Sequence, residues 1–346
     1  MNFKFTTLIV IFFSISLFSQ ELPYKLNVVY FTPTDNPALP NYEDRISRIL
    51  FHGQNFFKEQ NEINGFGPIT FSLPLKPNSN LVQIIRIQGK REKSYYPYEG
   101  GGERVKEEVD EYFQKNLNLS QSHHTLVILP AQYYESDGEP ANVPFYGYGT
   151  FAFALDYEQM DIKYFKQKTI WGSRATKWIG GLMHELGHGL NLIHVEQKPK
   201  EYKTRGTSLM GSGNYTYGNE PTFLTKSSSI LLIHGQLFSK VKRDDFYEVV
   251  DVQFPKLEYK TKDGFFFIRG EIICKFDPKF IIVKLDPSEG SNYDSIDFPA
   301  KMKDKKFSLK IPISELRTQN GTYEIQIVLP FENGYIHTSN YPYHFD

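Results

Sequence analysis

Nine histidines are spread over 346 residues, and three of them fall within one short stretch, His184-Glu185-Leu186-Gly187-His188-Gly189-Leu190-Asn191-Leu192-Ile193-His194. On a helix, His184 and His188 stand four residues apart, so both imidazoles leave the same face and can bind one metal ion. Glu185 follows the first histidine directly, where its carboxylate can reach a water on that metal without ligating the metal itself. His194 joins the other two only if the helix stops and the chain turns back. Asn191 can supply the stop. The extended form of the motif has Gly there because the turn needs a left-handed backbone, and Asn is the next residue that tolerates one. Three histidines with one open position are the arrangement of a catalytic zinc site rather than a closed structural one. Given the histidine content, a third histidine at this spacing arises by chance roughly 3% of the time.

Downstream, Thr207-Ser208-Leu209-Met210-Gly211-Ser212-Gly213 places a methionine in a predicted tight turn. A Met turn beneath the zinc is the second mark of the metzincin class, so Met210 is assigned that structural role. The other histidines lack ligand spacing: His123 and His124 precede a predicted strand, and His52, His234, His337 and His344 are scattered. They are read as structural or surface residues. The single cysteine, Cys274, excludes an intrachain disulfide and is read as an inert buried thiol.

These residues need a frame to hold them. Residues 25–31 read as a buried strand, 41–61 as a helix with Asn41 at its cap, 81–87 as a strand, 103–117 as a helix and 124–130 as a third strand. Strand, helix, strand, helix, strand in this order implies a mainly parallel sheet covered by helices. Residues 131–150 are loop-like, 150–156 a further strand, and 173–191 the helix that carries the first two histidines. Beyond about residue 250 short alternating runs take over, at 265–268, 280–285, 307–311 and 323–328, which predicts an all-β sandwich. The expected fold is therefore an α+β zincin-like or metzincin-like catalytic domain at 21–250, a twisted mixed sheet with an active-site helix, followed by a small Ig-like β-sandwich at 251–346.

Residues 1–20 join Lys4 to the apolar run from Leu8 to Phe18 and read as a secretory signal peptide, too short to span a bilayer. A secreted or periplasmic protein without disulfides fits a bacterial source. The balance of 39 basic against 40 acidic residues argues against a nucleic-acid partner. No later run is long enough to cross a membrane. The 29 Phe and 23 Tyr are more than a core alone needs and suggest wet aromatic surfaces, as in carbohydrate clefts.

Longer stretches carry a resemblance: Tyr96-Pro97-Tyr98-Glu99-Gly100-Gly101-Gly102, Val143-Pro144-Phe145-Tyr146-Gly147-Tyr148-Gly149, Phe153 to Tyr157, Thr176-Lys177-Trp178, Gly180 to Leu192, Leu209 to Gly218 and Pro221 to Thr225. Together they resemble the secreted bacterial O-glycopeptidases of the OgpA or OpeRATOR type, from about residue 27 to the C-terminus. The resemblance implies a monomeric zinc metalloendopeptidase acting on O-glycosylated, mucin-like proteins, which hydrolyses the peptide bond N-terminal to a Ser or Thr bearing a GalNAc-based glycan. It implies zinc ligation by His184, His188 and His194, a general base in Glu185, and sugar contacts by Tyr98 and Phe145. For the oxyanion helper, Tyr215 and Tyr217 are both candidates, and Tyr215 is counted among the substrate-binding residues. Residues 148–154 are expected to form the edge strand that pairs with an extended substrate. Two other readings stay open: a general secreted endopeptidase indifferent to glycans, and a zinc-dependent glycoprotein-binding module without turnover.

Overall fold

The computed structural model describes residues 22–291 and 293–346; the predicted signal segment lies outside them. A five-stranded sheet forms from β1 (Asn27–Thr32), β2 (Ile85–Gln88), β3 (Thr125–Pro130), β4 (Gly147–Tyr148) and β5 (Phe151–Asp156), in the order β2-β1-β3-β5-β4. All pairs are parallel except β5 with the short β4. Every residue of β1, β3 and β5 is buried, as strands covered on both faces must be. The sheet is thus mainly parallel, as the order of elements implied.

Helix α1 (Tyr42–Ile63) buries Ile46, Ile49, Leu50 and Phe57, and α2 (Gly101–Lys115) buries Val105, Val109 and Phe113; these are the spacings that place side chains on one helical face. A buried ion pair ties α1 to the sheet. Arg45 donates to both carboxylate oxygens of Asp156 at 2.6 and 2.8 Å, and the Tyr30 hydroxyl donates to the same carboxylate at 2.9 Å. Two local expectations fail. Asn41 adopts a left-handed backbone, φ 53°, and its side chain makes no capping bond. Of the predicted strand at 81–87 only the end joins the sheet, because Val82 pairs locally with Leu75. The edge strand expected at 148–154 is also corrected. Phe151–Asp156 is an inner strand, and Gly147–Tyr148 form the edge.

Helix α3 (Ile170–Gly189) begins three residues before the predicted start, where the Thr169 hydroxyl accepts from the Gly172 N–H. Helices α4 (Pro199–Arg205) and α5 (Lys226–His234) follow.

The C-terminal part has seven strands: β6 (Val252–Lys262), β7 (Phe265–Cys274), β8 (Phe280–Pro287), β9 (Ile296–Lys301), β10 (Lys306–Pro312), β11 (Gly321–Pro330) and β12 (Ile336–Phe345). They form two antiparallel sheets, β6-β7-β10 and β9-β8-β11-β12. Alternating residues such as Phe266 and Ile268 lie beside Ile311 and Leu309 of the neighbouring strand, and together they pack on Ile281, Val283, Ile325 and Ile327 of the other sheet in a shared core. β8 is different: Ile281 to Leu285 are buried without a break. Ile281, Val283 and Leu285 face the sandwich core, whereas Ile282, with Val328 of β11, packs into the core of the first sheet. This unbroken burial, which takes in Lys284 as well, shows that the sandwich is docked along one outer face rather than tethered. Cys274 is buried, and its thiol donates to the Phe276 carbonyl at 3.1 Å.

Candidate active site

Helix α3 ends at Gly189, and the chain reverses in a Schellman arrangement. The Leu192 N–H donates to the Gly187 carbonyl at 2.9 Å and the Asn191 N–H to the His188 carbonyl at 2.8 Å, with Asn191 left-handed at φ 66°. The reversal carries His194 back to the helix. The three Nε2 atoms then stand 3.3 Å (His184 to His194), 3.1 Å (His184 to His188) and 2.9 Å (His188 to His194) apart.

The other ring nitrogens define the protonation. His184 Nδ1 lies 2.7 Å from the Leu209 carbonyl and His188 Nδ1 2.9 Å from the Leu192 carbonyl. A carbonyl only accepts, so each Nδ1 carries the proton and each Nε2 offers a lone pair to the common point. Burial and mutual proximity keep the rings neutral: His184 is lowered to about 4, His194 to about 3, and His188 is lowered by burial. Three converging neutral imidazoles suit a borderline metal ion such as zinc. The cluster can hold a metal.

Two close approaches build this corner. Gly187 leaves room for Met210: a Cβ there would meet Met210 Sδ at 2.5 Å, so the buried turn at Leu209–Gly211 packs directly beneath the helix. That same turn presents the Leu209 carbonyl to His184. Gly147 of the edge strand is pressed against His188, whose Cβ would lie 2.2 Å from an added Cβ. Glu185 lies beside it. Burial pushes its carboxyl up to about 8, partly offset by a hydrogen bond from the Gly147 backbone.

Glu185, His188 and His194 line an open cleft of about 510 Å³ together with Tyr98, Phe145 and Tyr293, within the usual size range of ligand sites. Tyr98 is half exposed and meets Tyr146 edge-on at 5.9 Å. Phe145 packs edge-on against Trp178 at 5.1 Å. The structure therefore gathers Tyr98 and Phe145 around the histidines. It separates the two other tyrosines. Tyr215 is 66% exposed and lies near Tyr98 and Tyr293. Tyr217 is 3% exposed, bonds His52 Nε2 through its hydroxyl at 2.8 Å, and lines a different cleft with Phe165. Tyr217 is thereby withdrawn as an oxyanion candidate.

Two lining residues were missed in the sequence, Tyr293 and Ile336, and both come from the sandwich. Tyr293 sits in the loop before β9, with its ring centroid 4.1 Å from that of His194 and 6.0 Å from that of His184. The one available signal was an aromatic residue in a polar turn cluster, Ser288-Glu289-Gly290-Ser291 preceding it.

The fold and site define a two-part protein whose aromatic cleft joins a three-histidine cluster able to hold a metal to a buried carboxyl. No protein-family model matches the chain, and no curated protein does. Solved structures do. OgpA from Akkermansia muciniphila, in a catalytically inactive form bound to an O-glycopeptide (glycodrosocin) substrate, shares 36% identity with a TM-score of 0.90, over 94% of each chain. Wild-type OgpA shares 37% identity with a TM-score of 0.89, over 94% of this chain and 95% of that one. The chain belongs to the OgpA family.

Proposed function

We propose that this protein is a zinc-dependent O-glycopeptidase that hydrolyses the peptide bond N-terminal to a Ser or Thr carrying a mucin-type, GalNAc-based glycan. The observation that carries the reading is one cleft lined by Glu185, His188, His194, Tyr98 and Phe145, with the buried His184 converging on the two histidines from below. Its setting is a chain alike along 94% of its length to a relative bound to an O-glycopeptide. In this reading residues 21–250 are the metzincin-like catalytic domain and 251–346 the sandwich domain. Residues 1–20 direct export, to the periplasm or beyond the cell, and the enzyme acts as a monomer.

His184, His188 and His194 hold the zinc, with Met210 as the structural support beneath them. Zinc, when bound, supplies Lewis-acid activation of water and of the scissile carbonyl. Glu185 accepts the proton of the attacking water and then delivers it to the leaving amine. Its buried setting, with an affinity for protons near neutrality, suits a group that must both take and give one. Tyr98 and Phe145 present ring faces to the sugar, and Tyr215 at the rim contacts the substrate. The exposed edge at Gly147–Tyr148 gives the extended peptide a strand to pair with.

The test is digestion of a synthetic peptide bearing one Gal-GalNAc disaccharide on a single Thr, with the products sequenced by mass spectrometry beside a Glu185→Ala control. One cut, placing the glycosylated Thr at the new N-terminus and absent in the control, is expected. Binding of the glycopeptide without any cut would instead support a binding module.

A further inference from the structure

Among the tyrosines around the cleft, Tyr293 alone packs on the metal-binding histidines, and the C-terminal sandwich supplies it. Its loop is braced from both sides. Ser295 Oγ donates to the His194 carbonyl at 3.1 Å, and the Glu196 N–H donates to the Ser295 carbonyl at 2.7 Å. Asp294 accepts from Ser291 at 3.0 and 3.1 Å and is paired with Arg317, which also lies 3.8 Å from Glu196. Two residues beyond Ser295, buried Asp297 accepts from the Thr225 hydroxyl at 2.9 Å and lies 3.4 Å from Lys198. A loop fastened at so many points holds its aromatic tip in place before substrate arrives, and preorganised donors are what stabilise charge developing in a transition state.

The phenol is also chemically free for the task. Among the described residues the Tyr293 hydroxyl has no hydrogen-bond partner, whereas Tyr217 spends its hydroxyl on His52. Tyr293 shares the cleft with Glu185 and lies within reach of its charge, so the atom that polarises the carbonyl and the group that moves the proton would flank one peptide bond. Tyr215 lies nearby but is splayed into solvent.

We propose that Tyr293 is a catalytic residue, donating a hydrogen bond from its phenol to the carbonyl oxygen of the bond being cut, and that the sandwich is consequently one wall of the active site rather than a spacer. This rests on the peptidase reading above. It assigns the oxyanion role for which the sequence offered Tyr215 or Tyr217.

The experiment compares Tyr293→Phe with the wild type and Tyr215→Phe, all zinc-loaded, on the glycosylated peptide. Zinc stoichiometry and glycopeptide affinity of the metal-free proteins are measured alongside. Phe keeps the ring on His194 and removes only the hydroxyl. The expected result for Tyr293→Phe is a fall in kcat of about 10²–10³-fold, with KM, zinc content and metal-free affinity within threefold of the wild type. A Tyr293→Phe enzyme within twofold of wild-type kcat, or a larger loss in Tyr215→Phe, overturns the assignment while leaving the peptidase reading intact. Loss of zinc in Tyr293→Phe also overturns it, because the residue would then act on the metal site. A wild-type protein that binds the glycopeptide without cutting it removes the peptidase reading, and this inference with it.

Discussion

The three histidines of the cleft are held in two different ways. His184 and His188 stand on one helix, and each is oriented by a carbonyl of the first structural unit, Leu209 for one and Leu192 for the other. His194 makes no such ring bond to a carbonyl among the described residues. Its backbone is instead fastened by Ser295 and its ring is covered by Tyr293, both from the sandwich. The contrast teaches that the local sequence positions His184, His188 and Glu185, while the distant sandwich fastens His194 and roofs it. It also explains why β8 is buried on both faces: the docked position of the sandwich must be fixed if a loop between β8 and β9 is to reach the cluster.

The largest effect falls on the helix side. Replacing Glu185 by Gln keeps the size of the side chain and removes its ability to take a proton. We expect kcat/KM to fall by about 10²–10⁴-fold with zinc content unchanged, measured by steady-state hydrolysis and metal analysis. Loss of zinc instead would make Glu185 part of the metal support and blur the contrast.

Next in size is a pH effect at the seam between the two regions. His124 is fully buried between the Gly189 carbonyl, 2.6 Å away at the end of α3, and the Tyr247 hydroxyl. Burial lowers it to about 4 from an ordinary 6.5. A base whose folded affinity for protons is depressed stabilises the protein above the unfolded value and loses that contribution as pH falls through the folded one. Stability should therefore drop by about 3 kcal/mol between pH 6.5 and 4 from this group alone. Urea melts of the wild type and His124→Gln across that range check it; equal slopes for the two proteins would remove His124 from the account.

The smallest effect tests the sandwich side directly. Ser295→Ala deletes the hydroxyl that fastens His194 and touches neither His184 nor His188. Zinc affinity should weaken by roughly tenfold, read by competition with a chelator. An unchanged affinity would mean that His194 is positioned by the turn at Asn191 without help from the sandwich.

Much of the helix side was legible because its information is local. The four-residue histidine spacing, the adjacent Glu185 and the left-handed Asn191 are all determined within a few turns of chain, and the buried strands read directly as apolar runs. What escaped depends on contacts made far along the chain. Tyr293 lies in a polar turn about a hundred residues beyond the histidines it covers, so no periodicity marks it. Tyr215 and Tyr217 are two positions apart, and only packing against His52 and Phe165 distinguishes them. The strands at 252–262, 296–301 and 336–345 were missed because charged residues interrupt the first and Pro299 and Pro342 interrupt the others. Each is the outer strand of its sheet, where a side chain or proline facing solvent is tolerated.

The most direct measurement is the ratio of kcat/KM for two peptides of one sequence, one bearing the disaccharide on its Thr and the other bare. A cleft in which Tyr98 and Phe145 read the sugar beside the zinc predicts a preference of at least roughly 10³-fold for the glycosylated peptide. Equal rates would contradict it, leaving a general endopeptidase whose aromatic walls serve only packing.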